Sequence, residues 1–103
     1  SIFCIGTNSV ATANMIKAGA KYGASGENPV VVACRDADYI IGPIGIIMAD
    51  SMLGEISPLM AQAVGASNAH KILIPINKCL TVAGVQNLTL SDYIKIAVDS
   101  IQV

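Results

Sequence analysis

The sequence predicts a single α/β domain, three-layered around a mostly parallel sheet. Three observations carry that prediction. Several short runs are apolar without polar alternation, as in Val30-Val31-Val32-Ala33-Cys34, Tyr39-Ile40-Ile41 and Ile72-Leu73-Ile74, the mark of strands buried on both faces. Stretches with helical spacing lie between or beyond these runs, as crossover helices do in a layered sheet. The length of 103 residues suits one domain, and residues 1–103 contain no repeat, low-complexity tract or internal boundary.

Each element has its own signal. Ile2-Phe3-Cys4-Ile5 reads as a first strand, followed by Gly6-Thr7-Asn8-Ser9 as a turn rich in helix N-cap residues. From 9 to 22 the spacing is helical, with Ala11, Met15, Ala18 and Tyr22 on one face and Gly23 placed to end it. Residues 24–29 read as a loop, 30–34 as a buried strand, 35–38 as a polar link and 39–41 as the next strand. Gly42-Pro43 is expected to break the ladder, because proline has no N–H to donate. Residues 44–53 read as a loop leading into a short helical turn.

Ser57-Pro58 is a strong helix start, and Leu59, Met60, Ala63, Val64 and Ala66 make the helix apolar around most of its circumference. Such a helix is buried or lies at a subunit contact. Residues 71–76 form the next strand, and 79–85 have room for a brief one. The last helix is the clearest: Leu90, Ile94, Ala97, Val98 and Ile101 share a face, and Thr89 to Asp92 has capping-box spacing.

Composition narrows the function classes. The chain is 53% hydrophobic and 13% charged, with mean hydropathy +0.63, against roughly a quarter charged in an ordinary soluble domain. So much apolar side chain is hard to bury in a small monomer, which predicts a homo-oligomer joined through an apolar face, or a core whose packing partner lies outside this stretch. A membrane span is not expected, since the longest nearly apolar run, 39–49, is far short of the ~20 residues a spanning helix needs. No signal-peptide pattern opens the chain. Net charge is −1 with scattered charges, which argues against nucleic acid as a partner. Cys4, Cys34 and Cys79 make no C-x-x-C pair, a usage that suits a reducing, cytoplasmic setting.

The stretch 38–55 organises the candidate sites. It opens as a buried strand, turns at Gly42-Pro43-Ile44-Gly45, and ends in Asp50, Ser51 and Glu55. Hydrophobic elements that deliver polar groups at their far ends build sites at strand C-termini. Gly42, Pro43 and Gly45 let a backbone approach a ligand, or simply make a rigid turn. Asp50 and Glu55 are candidate catalytic carboxylates if burial raises their pKa; capping or a subunit-contact ion pair is the plainer reading. Ser51 lacks a neighbouring His and a G-x-S-x-G context, so a serine nucleophile is not expected. Cys34 is a core residue or a reactive thiol, and Cys79, beside Lys78, is the better thiol candidate. His70 reads as a helix C-terminal residue. One histidine without ligand-spaced cysteines argues against a transition-metal site.

Gly6-Thr7-Asn8-Ser9-Val10-Ala11-Thr12, Cys34-Arg35-Asp36-Ala37-Asp38, Ile41-Gly42-Pro43-Ile44-Gly45-Ile46, the block 49–56 and Ile72-Leu73-Ile74-Pro75-Ile76-Asn77 together resemble an uncharacterised family of small bacterial proteins, a domain of unknown function. The resemblance covers essentially the whole chain and implies a Rossmann-like fold. It also implies that an N-terminal strand, glycine-rich turn and helix precede the part seen here. In a Rossmann-like reading, Gly6, Thr7, Asn8 and Ser9 end the strand that meets the adenosine ribose, where NAD calls for an acidic residue. Their neutral side chains suit a phosphorylated ribose or another anion, or else plain helix capping. The expected function is binding of a nucleotide or dinucleotide, NAD(P) among the options, at the strand C-termini. The alternative is a non-enzymatic homo-oligomeric binding or scaffold protein that associates through 39–53 and the 57–66 helix.

Overall fold

Parallel pairing is the organising feature of the computed structural model, which describes residues 2–6, 9–20 and 22–101, Ala11 by its backbone only. The elements in chain order are β1 (Phe3–Gly6), α1 (Ser9–Lys17), β2 (Tyr22–Ser25), α2 (Glu27–Asp36), β3 (Tyr39–Pro43), a 3-10 turn (Ile44–Ile47), α3 (Pro58–Ala66), β4 (His70–Ile74) and α4 (Leu90–Asp99). The fold is therefore mixed α/β. β1 pairs with β2 in parallel, Phe3 opposite Tyr22 and Gly6 opposite Ser25. β3 pairs with β4, also in parallel, Tyr39 opposite His70 and Pro43 opposite Ile74. Among the described residues the strands form these two separate pairs.

Two expectations from the sequence are overturned in the first half. The 9–22 helix stops at Lys17, and Tyr22 opens β2 instead of closing the helix. β2 has little strand character in its letters, Tyr-Gly-Ala-Ser, because α1 packs hard against it. A Cβ on Gly23 would stand 3.0 Å from both Ile16 Cδ1 and Thr12 Cγ2, so a larger residue would push the helix off the strand. The second correction is larger: Val30 to Cys34 lies in α2, not in a strand. β-branched residues lower helix propensity only modestly, and packing overrides it. Val30 lies against the core and Cys34 is buried, while Val32, Arg35 and Asp36 face solvent. Glu27 in the first turn and Arg35 in the last suit the helix dipole, and Pro29 falls in the first turn, where a proline is tolerated.

The second half follows the expectations more closely. The ladder of β3 runs on through Gly42 and Pro43 rather than breaking there; a proline is admissible because, among the described residues, β3 has a hydrogen-bonded neighbour on one side only. Ser57 caps α3, its Oγ accepting from Met60 N–H at 3.2 Å with Pro58 in the first turn. Met60, Ala61 and Val64 are buried while Leu59 and Gln62 are exposed. No strand forms in 79–85. Thr89 caps α4 by accepting from Asp92 N–H at 3.2 Å, and its hydroxyl donates to the Asp92 carboxylate at 2.8 Å. The inward face of α4 is rotated from the expected one: Ala97 is buried and Tyr93 half-buried, while Leu90, Ile94 and Val98 are exposed. His70 opens β4, edge-on to the Tyr39 ring at 5.8 Å, and so is a strand residue rather than a helix-end one.

Side-chain contacts fix the relative direction of α2 and α3. At one end the Ser57 hydroxyl donates to the Glu27 carboxylate. At the other, Ser67 Oγ donates to the Cys34 carbonyl at 2.7 Å, and Lys71 Nζ donates to the Ser67 carbonyl at 2.6 Å. The two helices therefore run side by side in the same direction, both N-termini at the end where β2 and β3 finish. The core lies between them and the 3-10 turn, with Ile56 (2% exposed), Met60 and Ala61 packed against Val30 and Ile46.

Candidate functional site

The end where the strands finish is built from glycines and from hydroxyl and amide side chains, with the Glu27 carboxylate at the start of α2. At β1 and β2 the centre is Thr12, a buried residue of the first turns of α1. Its Oγ1 accepts from Gly6 N–H at 3.2 Å, donates to the Ala24 carbonyl at 2.9 Å and lies 2.7 Å from Ser25 Oγ. Gly26 N–H donates to the Gly6 carbonyl at 3.1 Å and, with φ 95°, turns the chain into α2. Gly6 is thus buried in a hydrogen-bonded corner. Ser9 is the exposed first residue of α1. Thr7 and Asn8 lie outside the described residues.

At β3 and β4 the centre is Gly45, which is buried. Ser51 Oγ donates to its carbonyl at 2.5 Å. A Cβ on Gly45 would stand 3.1 Å from Asn77 Nδ2 and 3.4 Å from Ser51 Oγ. The glycine is therefore what lets Ser51, from the loop after β3, and Asn77, from the segment after β4, converge. Gly42 serves a related purpose, leaving room for Ile46 to fold back at 3.0 Å from where its Cβ would be. Pro43 closes β3 beside them.

The loop that carries Ser51 is strained. Asp50 (φ 63°), Met52 (φ 56°) and Leu53 (φ 57°) are all left-handed, followed by Gly54 at 84°. Each non-glycine there costs on the order of 1–2 kcal/mol, and residues held so tend to cluster at binding and catalytic sites. Main-chain bonds enforce the conformation: Asp50 N–H to the Ile56 carbonyl at 2.7 Å, Ile56 N–H to the Ser51 carbonyl at 3.2 Å and Gly54 N–H to the Asp50 carbonyl at 3.1 Å. Buried Ile56 anchors the loop to the core. Asp50 and Glu55 are both exposed, outside the burial on which an acid–base reading of them depends.

Thr12 and Asn77 had no role in the sequence expectations, and Ser51 entered them only as a nucleophile that was not expected; in the structure its hydroxyl donates to the Gly45 carbonyl. Thr12 reads as a polar intruder on an otherwise apolar helix face, which was the available signal. Asn77 had a weaker one, a turn-forming residue just beyond an apolar strand.

The thiols divide by environment. Cys34 sits in the last turns of α2, and burial pushes its thiol above the ordinary 9.0, partly opposed by the nearby Lys71 ammonium. Cys79 is exposed, its N–H donating to Asn77 Oδ1 at 2.9 Å. At pH 8 a maleimide should label Cys79 at least ~10-fold faster than Cys34, since the thiolate is the nucleophile; mass spectrometry of the labelled peptides reads this. A folded pKa above the unfolded 9.0 means the folded state keeps its proton longer. The Cys34 contribution to stability is therefore complete below pH 9 and declines as pH rises through the folded value. Urea unfolding of wild type and Cys34→Ala from pH 8 to 10.5 should show the decline in wild type alone, once the shared slope is subtracted.

Among the described residues no group of three His, Cys, Asp or Glu side chains is placed to hold a metal ion, and no helix is long and apolar enough to cross a membrane. The chain belongs to the family of the domain of unknown function DUF3842, which it matches over residues 1–103. No curated protein and no solved structure matches it.

Proposed function

We propose that this family member binds a nucleotide, NAD(P) or another, at the end where its strands finish, in a three-layer Rossmann-like fold. The observation that carries the reading is the contact of Ser57 with Glu27, which brings the N-termini of two parallel helices to the strand ends that bear Gly6, Gly26 and Gly45. Helix N-termini carry a positive partial charge and N–H groups that receive phosphate oxygens; here Ser57 already accepts from Met60 N–H and the Glu27 carboxylate lies beside it, so a phosphate must rely on the remaining N–H groups of the two starts. β1 to β2 and β3 to β4 are parallel crossovers, the connection from which doubly wound folds are built, and such folds place their ligands outside the strand C-termini. Asp50 and Glu55 flank the site without specifying a reaction.

Titration with NADP+, NAD+ and ATP, followed by amide NMR, tests the reading. Saturable binding with Kd below about 1 mM and shifts at Gly6, Gly26 and Gly45 is expected. Absence of saturable binding by all three would sink it.

A second reading, a cytoplasmic homo-oligomeric scaffold, has its own support. The accessible surface is 7131 Å², against roughly 5,500 Å² for a globular monomer of this size. Ile41, Ile47, Met52, Leu53 and Leu59 are exposed along the stretch expected to self-associate. Native mass spectrometry of Asp50→Asn/Glu55→Gln separates the two: loss of the assembly alone would favour the scaffold, whereas loss of nucleotide binding with the assembly intact would favour the nucleotide reading.

A further inference from the structure

We infer that the cavity between the segment after β4 and the start of α4 receives an uncharged, planar heteroaromatic ring of the nucleobase type. This inference rests on the nucleotide reading and extends it to the part of the ligand that carries no charge.

Four observations support it. The cavity, of about 460 Å³, lies beyond the C-terminus of β4 and is within the size range of small-molecule sites. Among the described residues its lining contains no Asp, Glu, Lys, Arg or His, so a phosphate or carboxylate would find no counter-charge from them. It presents instead Asn77, Thr81, Gln86 and Asn87 among aliphatic walls and the Tyr93 side chain. A side-chain amide carries donor and acceptor in one plane, the complement of a heteroaromatic edge that alternates the two. The Thr81, Gln86 and Asn87 side chains have no hydrogen-bond partner among the described residues, and so are available to a ligand.

The segment itself is built to persist without regular structure. Residues 75–89 form neither helix nor strand, a length at which loops are usually functional (about 12–15 residues or more). Tyr93 clamps it to α4: its hydroxyl donates to the Gln86 carbonyl and accepts from Leu88 N–H at 3.4 Å. Asn77, held by its bond to Cys79 N–H, gives continuity with the strand-end site, because the same side chain stands beside Gly45.

The test uses two probes on the 15N-labelled chain: adenosine, which has the ring but no phosphate, and ribose 5-phosphate, which has the reverse. Adenosine should shift amides within 76–88. Val82→Trp, which fills the cavity, should weaken adenosine at least tenfold while leaving ribose 5-phosphate unchanged. The exposed double variant Gln86→Ala/Asn87→Ala should weaken it too, and covers the event that Val82→Trp does not fold. Ribose 5-phosphate binding with adenosine silent, or with adenosine shifts confined to Gly6, Gly26 and Gly45, would overturn the cavity assignment and leave the nucleotide reading standing. Adenosine shifts at 76–88 with ribose 5-phosphate silent would do the opposite. Silence from both would remove both.

Discussion

Ile56→Ala should lower the unfolding free energy by about 2–5 kcal/mol, the range for truncating a buried Ile or Leu to Ala. Ile56 is 2% exposed, the least exposed of the core residues, and packs with Met60, Ala61, Val30 and Ile46. Its neighbours come from three elements, so the cavity left behind cannot collapse by moving one of them. The residue also holds both ends of the strained loop, donating from its N–H to Ser51 and accepting at its carbonyl from Asp50. A domain of this length has about 5–15 kcal/mol in total, and few large side chains here are well buried. Urea denaturation measures the effect. A loss under ~1 kcal/mol would mean that Ile56 is not the centre of the core. Because the left-handed residues 50, 52 and 53 depend on that anchor, amide shifts of 48–55 should move further than those of α4.

Thr12→Val should cost about 2–4 kcal/mol, while Thr12→Ser should cost about 1 kcal/mol. Valine matches threonine in shape, so the valine variant isolates the hydroxyl. That oxygen is buried and satisfies Gly6 N–H while bonding Ala24 O and Ser25 Oγ. Removing it leaves a buried N–H and a carbonyl without their partner, and each such group costs about 1–3 kcal/mol. Serine keeps the oxygen and loses only the methyl that rests near Gly23. Thermal unfolding of both variants checks the ordering. Equal losses would show that the methyl contact, not the hydrogen-bond corner, holds α1 to the β1–β2 pair.

Legibility varied along the chain for physical reasons. α3 and α4 could be read directly because their starts are chemical: Ser57-Pro58 and Thr89 with Asp92 make the same caps in the structure that their spacing implies. β3 and β4 were legible as short apolar runs, as strands with no polar face must be. α2 was not, since five apolar residues with three valines cannot be told from a strand by periodicity alone. Its ends held the evidence, in Glu27, Pro29 and Arg35. β2 was hidden for the opposite reason, because the close approach of α1 requires a glycine where a strand would show a branched residue.

The candidate site divides in the same way. Gly6, Gly42, Pro43 and Gly45 could be named from sequence because a glycine or proline at a strand end has few other uses. That Ser51 and Asn77 meet at Gly45 could not be, since they are contributed by different segments and no local pattern records the distance between them.

By itself, then, the sequence determined the α/β class, the apolar strands β3 and β4, the capped helices α3 and α4, and the glycines at the strand ends. These follow from backbone chemistry within a few residues. Only the tertiary structure decided that 30–34 is helical, that the strands join as two parallel pairs, and that Thr12, Ser51 and Asn77 face their glycines. Those outcomes depend on which surfaces bury each other. Packing terms of several kcal/mol outweigh local preferences of a few tenths.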